Sequence, residues 1–186
     1  MQNLSMLPEN LPVPEDDGAC RHLFHHALPD CDLQSTQGGY VNLSKIARWL
    51  VLYCYPMTGR PGTPLPEGWD AIPGARGCTP QACMFRDHYR ELQALNAEVF
   101  GLSTQSHADQ VEAANRLHLP YALLSDAAFA CTDMLGLPVF EVGGRRLNKR
   151  LTLIAKDGRI QHCFYPVFPP DRNSADVIDW LKKHGD

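Results

Sequence analysis

The chain has no Cys-x-x-Cys pair, no basic run and no apolar stretch long enough to span a bilayer. Its longest apolar segment, Trp49 to Tyr55, falls far short of the ~20 residues a transmembrane helix needs. The missing Cys-x-x-Cys argues against a general disulfide oxidoreductase. With 17 Lys and Arg against 21 Asp and Glu, and a formal charge of −4, neither nucleic acid nor an anionic membrane is suggested as partner. The opening "MQNLSMLPENLPVPEDDG" has no basic segment followed by an apolar run. No secretory signal is therefore expected, and a cytoplasmic location is. Repeats and low-complexity tracts are missing too.

Cysteine is what the chain does have. Seven of them, an odd number, form no small-domain disulfide framework. In a reducing compartment these are mostly free thiols, and any disulfide is transient and chemical rather than structural.

At 186 residues one domain with a real core is expected. Residues 1–28 read as an extended arm or early helix, and 29–186 as the domain. "WLVLYCY" ending at Pro56 has the pattern of a buried central strand. Residues 56–77, dense in Gly and Pro, form a loop too long to be ordinary inside a compact domain. "QACMFRDHYRELQALN" then reads as one helix, 98–103 as a strand and 106–118 as a helix. A short strand at 121–126 and a brief helix at 127–135 follow. Strands at 150–155 and 159–165 flank Lys156-Asp157-Gly158, a hairpin turn, and the tail is a helix opened by a Ser cap. This alternation predicts a single α/β domain with a mixed sheet flanked by helices.

Cys78 and Cys83 are the candidate chemistry. On a helix from Cys78, residues Ala82, Phe85, Tyr89 and Leu92 share its face, while Cys83 is rotated by roughly 140°. The two Cα atoms are then about 8.6 Å apart, and a disulfide needs about 4.4–6.8 Å. Bonding requires the first turns to unwind. Cys78 sits where a helix N-terminus favours a thiolate, with Pro80 tolerated in the first turn. Such a thiolate can open an O–O bond, become a sulfenic acid and condense with a second thiol, here Cys83. Two buried cysteines packing as small apolar residues explain the spacing as well.

The chain also resembles the peroxiredoxins, specifically the bacterioferritin-comigratory-protein or peroxiredoxin Q type, over about residues 29–184. The resemblance rests on "VLYCYP", "GCTPQACMFRD", "VFGLSTQS", "LLSD" and "RLTLIAKDGRI" in that order. It implies a thioredoxin-like fold, hydroperoxide reduction, and re-reduction by thioredoxin or a similar dithiol; no cofactor is expected. It makes Cys78 the peroxidatic cysteine, Cys83 the resolving one, and Arg150 the cation that leans on the thiolate. This subfamily often functions as a monomer, which is the expectation here. One departure stands out: the family's Pro-x-x-x-Thr/Ser-x-x-Cys is interrupted, leaving Ala71 and Ala75 at −7 and −3, with an insertion at about 61–76. Pro56 and Thr58 could supply the proline and hydroxyl from across that loop, with Thr79 and Thr152 as competing hydroxyls.

The remaining candidates have plainer readings. Cys54, Cys131 and Cys163 suit core packing, and Arg86 has no assigned role. Cys20, His22, His25, His26 and Cys31 are ligand types at irregular spacing for zinc, so no metal is expected. Trp69 and its Pro-rich surroundings shape either peroxide access or a partner surface. A peroxide-sensing switch or binding protein using the same disulfide is the alternative function; unwinding would then expose the Phe85 face.

Overall fold

The structure, a computed structural model, describes residue 4 and residues 6–185. Two short strands absent from the sequence reading come first, β1 (Asp32–Ser35) and β2 (Tyr40–Asn42), paired antiparallel. β3 (Trp49–Cys54) is buried along its whole length, as its unbroken apolar run requires. The helix expected next is two: α1 (Cys78–Asp87) and α2 (Tyr89–Ala94), with His88 between them out of helical conformation. Its ring nitrogen Nδ1 instead bonds the Ser174 hydroxyl at 2.8 Å.

The alternation continues with β4 (Ala97–Ser103), α3 (His107–Arg116), β5 (Ala122–Ser125) and α4 (Ala130–Leu135). Ser106 caps α3, its hydroxyl accepting from the Asp109 N–H. A second hairpin that the sequence reading passed over, β6 (Val139–Val142) and β7 (Arg145–Asn148), forms a separate two-stranded sheet. The predicted hairpin is β8 (Leu151–Lys156) and β9 (Arg159–Phe164). α5 (Asn173–His184) closes the chain. The expected Ser cap is corrected here: the helix starts at Asn173 behind a 3₁₀ turn at Pro170–Arg172, and Ser174 is buried inside it.

The main sheet has the order β2-β1-β5-β4-β3-β8-β9. β3 and β5 run parallel to β4; the remaining pairs are antiparallel, so the sheet is mixed as predicted. Strand periodicity divides the core in two. Leu50, Leu52 and Cys54 face α4 and the N-terminal segment, whose Leu23 and Leu28 are buried there. Val51, Tyr53 and Tyr55 face α1, α3 and α5.

The long loop is ordered. Trp69, in a 3₁₀ turn at Trp69–Ala71, is buried with Met57, Ala75 and Leu147, and Ile72, Phe140 and Val142 pack against them. The insertion thus folds under the β6–β7 hairpin around its own small core. That buries the Trp69 side chain in packing.

Candidate active site

Cys78 is the first residue of α1, and the turn before it is set by Gly77 at φ +101°. Of the predicted stripe, Cys78, Ala82, Phe85 and Leu92 are buried and face the core, while Tyr89 is half-buried against it; Tyr89 and Leu92 stand on α2. Phe85 stacks on Tyr53, ring centroids 4.7 Å apart and planes within 8°. This contact fixes the body of the helix against β3.

Arg150, just ahead of β8, is 3% exposed. Its Nη2 donates to Cys78 Sγ at 3.1 Å. The guanidinium is held by its other donors: Nε to the Gly74 carbonyl at 3.2 Å, Nη2 also to the carbonyls of Ala75 and Arg76 at 3.2 and 3.0 Å, and Nη1 to Gln81 Oε1. A buried cation demands such a fork of acceptors. Three of them are backbone carbonyls from the end of the insertion. The Gln81 amide nitrogen continues the chain to Asn173 Oδ1 at 3.0 Å, which also accepts from the Thr152 hydroxyl at 2.7 Å. Sulfur, guanidinium, amides and hydroxyl form one polar network at the N-terminus of α1.

Cys83 lies on another face of α1 and is half-buried. Burial pushes its thiol up, opposed by Arg86 and reinforced by Asp87. Arg86 itself pairs with Asp87 at 2.8 Å and donates to the Leu117 carbonyl at 2.9 Å. Because α1 is continuous from Cys78 to Asp87, the helical separation of the two cysteines holds and no bond joins them.

Thr58 is brought into the same region but not onto Cys78. Its hydroxyl donates to Gln105 Oε1 at 3.1 Å, and the Gln105 amide returns a bond to the Thr58 carbonyl at 3.2 Å. Thr152 is committed to Asn173, and Thr79 is buried in the first turn of α1. Ala75, at the position the family gives to Thr, is fully buried in the small core around Trp69.

The other cysteines gather on the opposite face of the sheet. Cys20, Cys54 and Cys131 are buried there, with Cys31 and Cys163 packed against them. Cys163 and burial push the Cys20 thiol up, and burial does the same to Cys54. Among the described residues, no three His, Cys, Asp or Glu side chains converge as metal ligands. Also among the described residues, no helix is long and apolar enough to cross a membrane.

Sequence reasoning missed Gln81, Asn173 and the carbonyls of Gly74 to Arg76. Gln81 stood inside the quoted motif without a role. Asn173 was legible only as a polar residue beside the supposed Ser cap, and the carbonyls carry no side-chain signal.

The redoxin family model matches residues 25–178, and the chain belongs to that family. Within it, its relatives are peroxiredoxins of the Q type. Chloroplastic peroxiredoxin Q of Arabidopsis thaliana is 31% identical over 157 residues, covering 84% of this chain and 65% of the relative. The Oryza sativa subsp. japonica protein is 29% identical over the same lengths. The chain therefore spans just under two thirds of these relatives. Among solved structures, peroxidoxin BcpB of Mycobacterium tuberculosis superposes with a TM-score of 0.69 at 24% identity, over 86% of this chain and 96% of that one. The bacterioferritin comigratory protein of Xanthomonas campestris, which has alkyl peroxide reduction activity, gives 0.67 at 20% identity over 95% and 99%. These likenesses establish the thioredoxin-like peroxiredoxin fold.

Proposed function

We propose that the chain is a thiol peroxidase in which Cys78 reduces hydrogen peroxide and alkyl hydroperoxides. The observation that carries this is the Arg150 guanidinium, 3.1 Å from Cys78 Sγ and fixed by four further acceptors. A desolvated, immobile cation stabilises both the attacking sulfur and the oxygen anion that leaves. Cys78 becomes a sulfenic acid. Cys83 then condenses with it, water leaves, and a thioredoxin-type dithiol restores both thiols.

Resolution requires α1 to open. Phe85 anchors the middle of the helix on Tyr53, so the segment that unwinds is the first turns from Gly77. Opening breaks the Gln81 to Asn173 and Arg150 to Cys78 contacts and frees Cys83 from the burial that holds its thiol up. Residues 1–28 belong in this proposal as an arm on the 29–186 domain, acting as a monomer in a reducing compartment such as the cytoplasm.

The test is peroxide consumption with thioredoxin as reductant, alongside intact mass and peptide mapping after one equivalent of hydrogen peroxide. Turnover lost in Cys78→Ser, and a Cys78–Cys83 link in the wild type, are expected. Cys83→Ser is expected to leave a sulfenic acid that over-oxidises. A Cys78 that survives peroxide unreacted sinks the proposal; a link to another cysteine sinks the assignment of Cys83.

A further inference from the structure

Tyr55 is 2% exposed, yet its hydroxyl has no hydrogen-bond partner among the described residues. Buried hydroxyls are rarely left so, and one beside a reactive group points to a ligand. The neighbouring phenol shows the contrast: the Tyr121 hydroxyl donates to the Ala82 carbonyl at 2.8 Å, and Tyr53 donates to Tyr121 at 3.0 Å.

Register tells which face of the sheet the Tyr55 side chain takes. β3 and β8 pair Tyr53 with Thr152 and Cys54 with Leu151. Carried one residue further, the same register sets Tyr55 opposite Arg150, with both side chains on the face that α1 covers. Strand geometry persists that far, because the Tyr55 N–H donates to the Leu102 carbonyl at 3.0 Å. Tyr55 and Cys78 share one buried cluster. The Tyr55 ring also stacks on Tyr53, centroids 5.6 Å apart.

Its neighbours leave the O–H uncommitted. Thr58 lies beside the phenol without meeting hydrogen-bond geometry, and gives its own hydrogen to Gln105. Burial first, then Tyr53 and Cys78, push the Tyr55 phenol well above its usual range against a smaller opposing pull from the Thr58 side chain, so it stays protonated and able to donate.

We propose that Tyr55 is a catalytic residue: its O–H donates a hydrogen bond to the leaving oxygen of the hydroperoxide as Cys78 attacks. The inference rests on the peroxidase proposal. The Cys78 thiolate attacks the terminal oxygen of ROOH; the S–O bond forms and the O–O bond breaks. The hydroperoxide hydrogen stays on the oxygen now bound to sulfur, giving the sulfenic acid. The O–O electron pair departs with RO⁻, which Tyr55 and Arg150 stabilise until solvent protonates it. Sulfur is oxidised and the peroxide reduced to an alcohol, or to water when R is hydrogen. Tyr55 thus fills the place left by the missing hydroxyl at position 75.

Tyr55→Phe tests this through two reactions of Cys78 followed in parallel, with hydrogen peroxide and with iodoacetamide. Alkylation needs the thiolate but no donor on a breaking O–O bond. The variant is expected to react with peroxide at least ~10-fold slower, and up to the ~100- to 1,000-fold typical of a lost oxyanion donor. Its alkylation rate should stay within about twofold of wild type. Its Tm should not fall, since the deleted hydroxyl has no partner to lose. An unchanged peroxide rate overturns the proposal. Equal loss in both reactions, or a lowered Tm with both, also overturns it, by making Tyr55 structural. A wild-type Cys78 that does not react with peroxide fails the peroxidase proposal itself, whatever the variant does.

Discussion

Replacing Arg150 separates the charge at the site from its geometry. Arg150→Met deletes the guanidinium and leaves the carbonyls of Gly74, Ala75 and Arg76 and the Gln81 amide oxygen without their donor. An orphaned buried acceptor costs ~1–3 kcal/mol. Four at full cost would exceed what single substitutions do, and the loop can turn some toward water, so a loss of about 3–5 kcal/mol is expected. The kinetic term comes from the 3.1 Å contact to Cys78. At an effective dielectric of ~20, unit charges at that distance interact by about 5 kcal/mol. Part of this is offset by no longer burying a cation, so about 2–4 kcal/mol should be lost, or ~30- to 1,000-fold in rate. Arg150→Lys keeps the charge but offers a point-like ammonium to a forked set of acceptors. It should fall between wild type and Arg150→Met in both respects. The assays are urea unfolding of the reduced protein and stopped-flow reaction of Cys78 with hydrogen peroxide. If Arg150→Met unfolds within ~1 kcal/mol of wild type and reacts at the same rate, the network does not organise the site and the reasoning is refuted.

Two other perturbations probe how the site is held. Gly77→Ala would drive a Cβ into Pro170 Cγ and to 2.8 Å from Leu7 Cδ2 at a φ of +101°; the strained backbone and the overlap with a rigid ring together should cost about 2–5 kcal/mol in urea unfolding. A cost below ~1 kcal/mol would mean that the turn before Cys78 adapts freely. Asp17 accepts from Lys149 and Tyr165, which with an Ala19 N–H hold its carboxyl down to about 2. A carboxyl lowered in the folded state contributes above its unfolded value of 3.8 and loses that contribution as pH falls through about 2. Asp17→Asn should therefore weaken hydrogen-exchange protection around residues 17–28 near neutral pH, and differ little from wild type near pH 2. A difference that persists undiminished at pH 2 would exclude the carboxylate as its cause.

The parts of this molecule that sequence made legible are those where one physical requirement dominates. β3 is buried on both faces, and its unbroken apolar run declares that. The Lys156-Asp157-Gly158 turn puts Asp157 and Gly158 at positive φ, the conformation its residues favour. The helix formers from Gln81 onward declare the body of α1, and Cys78, taken as the head of that helix, does begin it. β1 and β2 stayed hidden because they are short, partly exposed and polar. The β6–β7 hairpin was readable in principle: Gly143 and Gly144 both sit at positive φ between its strands. The acceptors of Arg150 could not be read, because they are main-chain carbonyls placed by the packing of an irregular loop.

That loop also explains the departure from the family pattern. Position 75 is buried in a cluster of Trp69, Met57 and Leu147 that holds the insertion in place. A threonine there would bring a hydroxyl into apolar surroundings, which is unfavourable unless it is paired. Alanine satisfies the cluster, and its carbonyl still serves Arg150 at 3.2 Å. The insertion therefore supplies main-chain acceptors to the cation while giving up the side-chain hydroxyl that the family pattern carries at position 75. Under the peroxidase proposal, a chain with that arrangement takes its donor from another element. The β3–β8 register, carried one residue past its last pair Cys54–Leu151, sets Tyr55 opposite Arg150, and the Tyr55 hydroxyl is buried without a partner among the described residues. The hydroxyl missing at position 75 and the one unpaired at position 55 are the two halves of the Tyr55 proposal.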